Sequence, residues 1–210
     1  MAPKRPTVLH SRQVLELAAA AYQRSLSWEP EAEVCVTLAA AAFEGFLNEL
    51  AETFAYEGAT GSGALMSELL AEAEAARSQA IFKFRLAAFA LTGKLPSKGD
   101  QRIQDLTCLV RLRNSMLHLR PEPMFDLDAE PHIERPLQIS HLIDRKVIQE
   151  PHGYVGSWRQ LVSDSRVAKW AFETATEALS WIAGASEEEN VRLVLQFSIS
   201  RFPILSSIAG

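Results

Sequence analysis

Apolar residues recur three and four positions apart almost throughout this chain, the spacing that gives a helix one apolar face, and the pattern lapses in one stretch. Residues 120–157 carry Pro121, Pro123, Pro131, Pro136 and Pro151. Each lacks the amide hydrogen that a helix interior needs, so no long helix crosses the segment. The fold class that follows is all-α. It is a bundle of about five to six helices with a loop or small hairpin inserted near 120–157.

The first helix starts near Ser11, a suitable N-cap, and runs through "SRQVLELAAAAYQRSL" to a turn ending at Pro30. The second and longest, "EPEAEVCVTLAAAAFEGFLNELAETFAYEG", opens on acidic residues, which the positive end of a helix dipole favours. Its run Ala39 to Ala42 permits close approach of another helix. "GATGSG" reads as a loop, and a third helical region extends from Leu65 to Thr92 with a break near Ser78. "GKLPSKGD" ends it, and a fourth helix spans Gln101 to Leu119. Within the proline-rich stretch, "LQISHLIDRKVI" alternates weakly with period two and predicts a small hairpin. A final pair of helices, Trp158 to Ala183 and Glu187 to Arg201, offers Trp170, Leu179, Trp181 and Ile182 to the core.

With 210 residues, 48% of them hydrophobic and 22% charged, the chain can fill one core, and neither disorder nor a fibrous class is indicated. A single domain over 1–210 is expected, with residues 1–10 flexible. No apolar signal stretch follows "MAPKRPTVLH", and no uninterrupted run approaches the ~18 apolar residues of a membrane span. A cytoplasmic protein without a membrane partner is therefore expected. Cys35 and Cys108 lack a CxxC or metal-ligand spacing and read as core thiols. His132, His141 and His152 likewise show no metal spacing and read as loop histidines.

The net charge of −5 argues against a nucleic-acid partner, but its distribution argues the other way. Residues 77–120 hold nine basic side chains against Asp100 and Asp105, a local net of +7 inside an acidic protein. Such a segment is a candidate anion-binding face, with a solvated helix surface as the plainer alternative.

At the centre of that segment lies "CLVRLRNSMLHLRPEP". On an ideal helix Arg113 falls ~20° from Leu106, inside the apolar arc of Leu109, Leu112 and Met116, so its guanidinium needs an anionic partner. Glu44, which interrupts the apolar run "AAAAFEGFLNEL", is the best candidate. Asn114 and His118, four apart, are neighbours on a separate polar strip with Arg111 and Ser115. A phosphate bound by a forked arginine beside a proton-moving histidine is the functional alternative to a structural ion pair.

Arg113 to His118, "RNSMLH", resembles the signature of the HEPN superfamily (higher eukaryotes and prokaryotes nucleotide-binding domain): arginine, a polar residue, three further residues, histidine. In that family the motif lies on a late helix of a small all-helical bundle. The resemblance implies a metal-independent endoribonuclease, commonly the toxin of a toxin–antitoxin pair or part of a phage-defence system, using no cofactor and no metal. It further implies a homodimer whose two motif helices form one cleft, an RNA substrate, and an antitoxin or effector protein as partner. Carried over by residue, Arg113 would hold the scissile phosphate, Asn114 would position it or the histidine, and His118 would take the proton of the ribose 2′-hydroxyl. Arg111, Arg120 and Ser115 would bind substrate, with Glu44 and Asn48 in support. Because Arg113 and His118 are ~140° apart on an ideal helix and Arg111 only ~20° from His118, either arginine is a candidate for the phosphate. A catalytically silent HEPN-like module, binding a nucleotide, RNA or a protein, and an unrelated bundle with an accidental motif are the competing readings.

Overall fold

The longest helix is the one on which most of the bundle packs. In the computed structural model, which describes residues 10–56, 58–117, 125–126, 136–149 and 155–200, α2 spans Glu31–Tyr56. Glu31 and Glu33 occupy its first turn, where the helix dipole favours carboxylates. Ala39, Ala40, Ala42, Phe43, Phe46, Leu47 and Leu50 are buried along it, so more than one side of the helix is covered. Its neighbours are α1 (His10–Ser25), α3 (Gly61–Ala75), α4 (Ala80–Thr92), α5 (Gln101–Leu117) and α8 (Ser165–Ala185). By length and composition α2 would suit a membrane, yet 56% of its apolar window is buried inside the bundle, as in a core helix.

Small residues set the close packing of α1 on α2. Ala18 and Ala21 are fully buried, and a Cβ on Gly45 would stand 3.6 Å from that of Ser11. Ser11 does not cap α1, which begins one residue earlier. Its amide donates to Glu49 Oε1 at 2.9 Å and its hydroxyl to Oε2, fastening the start of α1 to α2.

The third helical region divides as expected, between Ala75 and Ala80, with Arg77 in the left-handed region at φ 52°. The helix after the "GATGSG" stretch starts earlier than its glycines suggest, at Gly61, because Glu188 supplies an acceptor for the amide of Ser62 at 2.9 Å. α4 ends at Gly93, whose φ of 69° lets its amide return to the Phe89 carbonyl at 2.8 Å. An aromatic chain of Phe43, Phe84 and Trp181, each neighbouring pair 5.7 Å apart between ring centres, joins α2, α4 and α8. Trp181 is only partly buried, with the Arg102 guanidinium 4.8 Å above its ring. Trp170, Leu179 and Ile182 are buried.

Two expectations are corrected. "LQISHLIDRKVI" forms a helix, α6 (Leu137–Asp144), which buries Ile139 and Leu142, three apart, against α5. The antiparallel pairing in this part of the chain lies elsewhere, between β1 (Phe125–Asp126) and β2 (Val155–Gly156). The expected helix from Trp158 is two helices, α7 (Trp158–Val162) and α8, because Asp164 caps the latter by accepting from the Arg166 amide at 2.7 Å. The chain's last described element is α9 (Glu189–Ser200).

Candidate functional site

α5 carries most of the predicted site. Asp100 just before it accepts from the Arg102 amide at 2.9 Å, which fixes its start. Leu106, Leu109 and Leu112 are fully buried and orient the rest of the helix. At its far end Arg159 of α7 donates through Nη2 to the carbonyls of Ser115 and Met116, both at 3.1 Å. A cation there satisfies carbonyls that the helix leaves open and suits the negative end of its dipole. Arg159 also lies 3.8 Å from Glu33 of α2, so α7 clasps α5 and α2 together. No local sequence signal marks this role, because the cap comes from more than forty residues away.

With α5 so held, Arg113 reaches across to α2 and its Nη2 donates to Glu44 Oε2. The pair is partly open to solvent, with 20% of the Arg113 side chain and 35% of Glu44 exposed. Arg113 Nε is buried without a hydrogen-bond partner. Asn48, one turn beyond Glu44, accepts from Lys83 Nζ at 2.9 Å. Lys83 is 3% exposed, and Glu74 is its second partner.

The other predicted residues separate. Asn114 is exposed. Ser115 is committed to α6, its hydroxyl accepting from Gln138 Nε2 at 3.1 Å. Met116, on the apolar arc of α5, is 7% exposed within this one chain and belongs to its core. His118 and Arg120 lie outside the described residues, as do His132 and His152.

Arg111 turns away from Glu44 and lines a cleft of about 660 Å³ among α4, α5 and α6. Arg85, Lys98, His141 and Asp144 also line it. His141 is thus a helical residue in a cleft wall, not a loop histidine. Its Nε2 lies 2.7 Å from Asp105 Oδ1. Asp105, only 8% exposed, also accepts from Arg145 Nε at 3.1 Å and Nη2 at 3.2 Å. Sequence reasoning counted Asp105 merely as an acid in a basic segment. Its place one turn before the buried Leu109 was the signal that it needed partners of its own.

Burial pushes the thiols of Cys35 and Cys108 up to about 12, assisted at Cys108 by the Asp105 carboxylate and opposed by Arg111. Both are protonated core residues near neutral pH. Among the described residues no cluster of three or more histidine, cysteine or acidic side chains is arranged to hold a metal. Comparison of the chain with protein-family models, with curated proteins and with solved structures finds no match.

Proposed function

We propose that this chain is a metal-independent endoribonuclease of HEPN type, with the C-terminal half of α5 as its working edge. The observation that carries the reading is the ion pair of Arg113 with Glu44, partly open to solvent. It holds a charged, forked donor in one place while leaving part of it accessible, as recognition of a phosphate requires. His118, five residues on, supplies the base. The ribose 2′-oxygen attacks phosphorus and gives its proton to His118, the bond to the 5′-oxygen breaks, and that oxygen leaves with a proton from water, the hydroxide so formed then taking the proton back from His118. The ends are a 2′,3′-cyclic phosphate and a 5′-hydroxyl. The resemblance adds a homodimer, and an antitoxin or effector protein as regulator.

One observation favours a second reading, a silent HEPN-like module that binds nucleotide, RNA or a protein. Glu44 already neutralises Arg113, which weakens its attraction for phosphate. Incubating the protein with total RNA in excess chelator, followed by end-group analysis, separates the two. The enzyme reading expects cyclic phosphate ends and a loss of ~10² to 10⁴-fold in His118→Ala. Absence of cleavage by the wild type, or full activity in His118→Ala, would sink it.

A further inference from the structure

The cleft lined by Arg111 lies on the opposite flank of α5 from Glu44, and its charge is unbalanced. Arg85, Lys98 and Arg111 line it, with Asp144 as the one carboxylate among the described residues of its lining. None of the three cations has a carboxylate partner among the described residues. Arg85 is aimed by a bond from its Nε to the Pro96 carbonyl at 3.2 Å, which leaves its terminal nitrogens without a hydrogen-bond partner among the described residues. Asp105, the nearest buried acid, is taken up by Arg145 and His141.

Like charges gathered in a concave wall repel one another, and an anion relieves that repulsion. His141 adds to the same wall. Its Nε2 faces a carboxylate that only accepts, so Nε2 carries hydrogen and Nδ1 is the ring's remaining nitrogen, without a partner among the described residues. In the charged ring Nδ1 becomes one more donor. The rest of the lining includes the apolar Ile81, Ile103 and Leu137 and the amides of Gln79, Gln104 and Gln138, which suit a compact organic body attached to the anionic group.

We infer that the cleft among α4, α5 and α6 is a binding site for a small phosphate ester, held by Arg85, Lys98, Arg111 and His141. A forked guanidinium matches phosphate oxygens, and the cleft volume of about 660 Å³ is within the range of pockets for small molecules. The site shares Arg111 with the residues that the HEPN resemblance suggests for substrate, but it stands apart from the Arg113–Glu44 pair that carries the ribonuclease reading.

The test is calorimetric titration of the full chain at low ionic strength with inorganic pyrophosphate, AMP and glucose 6-phosphate. Pyrophosphate reports the anion site alone, and the two esters tell a nucleoside body from a sugar. The double variant Lys98→Gln/Arg111→Gln is expected to weaken pyrophosphate roughly tenfold to a hundredfold, and His141→Gln by roughly threefold to tenfold. Lys169→Gln removes an exposed cation from α8 as a control and should bind as the wild type does. Lys98 and Arg111 are exposed, so the double variant should keep its helical circular dichroism. The proposal is overturned if the wild type binds neither pyrophosphate nor either ester, or if the folded double variant binds them as tightly as Lys169→Gln. A wild type that cleaves RNA but binds no phosphate ester removes the cleft and spares the ribonuclease. Binding without cleavage does the reverse.

Discussion

Arg111 and Arg113, two positions apart on α5, serve opposite neighbours: Arg113 pairs with Glu44 of α2, while Arg111 faces His141 across the cleft beside α6. Two positions on a helix are a turn of ~200°, so one helix presents charge on both sides. The question of which arginine meets phosphate therefore becomes a question of two locations.

The Arg113–Glu44 pair should be a modest contributor to stability. Full burial would make removal of one partner costly, but a fifth of one side chain and a third of the other reach solvent. Glu44→Ala is expected to lower stability by about 1 to 3 kcal/mol, the range for a charged donor left partly unsatisfied, reduced by screening. A double-mutant cycle by urea denaturation should show coupling between Glu44 and Arg113. Additivity of the two single substitutions would dissolve the pair.

Both cysteines should resist alkylation in the folded protein. Their thiols are pushed up to about 12, chiefly by burial, against an ordinary value of 9.0. The native chain at pH 8 should therefore react with iodoacetamide only as fast as it opens, and the urea-unfolded chain at the rate of free thiols. The sign of the pH effect follows. With the folded value raised, the stability each thiol contributes is intact below about pH 9 and is lost as pH climbs toward 12. Denaturation midpoints measured from pH 8 to 11 should fall, and should fall less in a Cys35→Ala/Cys108→Ala variant.

Met116→Glu should unfold the chain instead of separating subunits. Its side chain is buried among the residues of α5 and the bundle core, so a carboxylate there is desolvated without a partner. A drop of about 3 kcal/mol or more in unfolding free energy is expected. Sedimentation of this variant consequently says nothing about a dimer. Leu117, exposed on the next position, is the better reporter for any contact between α5 helices.

The helices were legible wherever an apolar face ran long enough to separate a period of three to four from a period of two. α6 was not, because Ile139, His141 and Ile143 alternate while Ile139 and Leu142 also fit one helix face, and eight residues hold too few turns to decide. The Arg113–Glu44 pair was readable because each residue interrupts an apolar run and so advertises a need for the other. The bond of Asn48 to Lys83 was not, since an amide beside a helix face accepts from whichever donor folding brings. Nor was the union of Asp105 with His141 and Arg145, which exists only once α6 is a helix laid on α5.

The clasp of Arg159 on the last carbonyls of α5 brings the chain back to the end of that helix some forty residues later. Between those two points the chain is held to α5 a second time, along α6, whose Ile139 and Leu142 are buried against it. Lengthening a loop between two fixed points costs only about 0.6 kcal/mol per doubling, so the length of the segments that join these attachments matters little to the bundle. Insertions between the attachments are therefore cheap for the fold, whereas a trim that reaches α6 would take Ile139 and Leu142 out of the core and His141 and Arg145 away from Asp105.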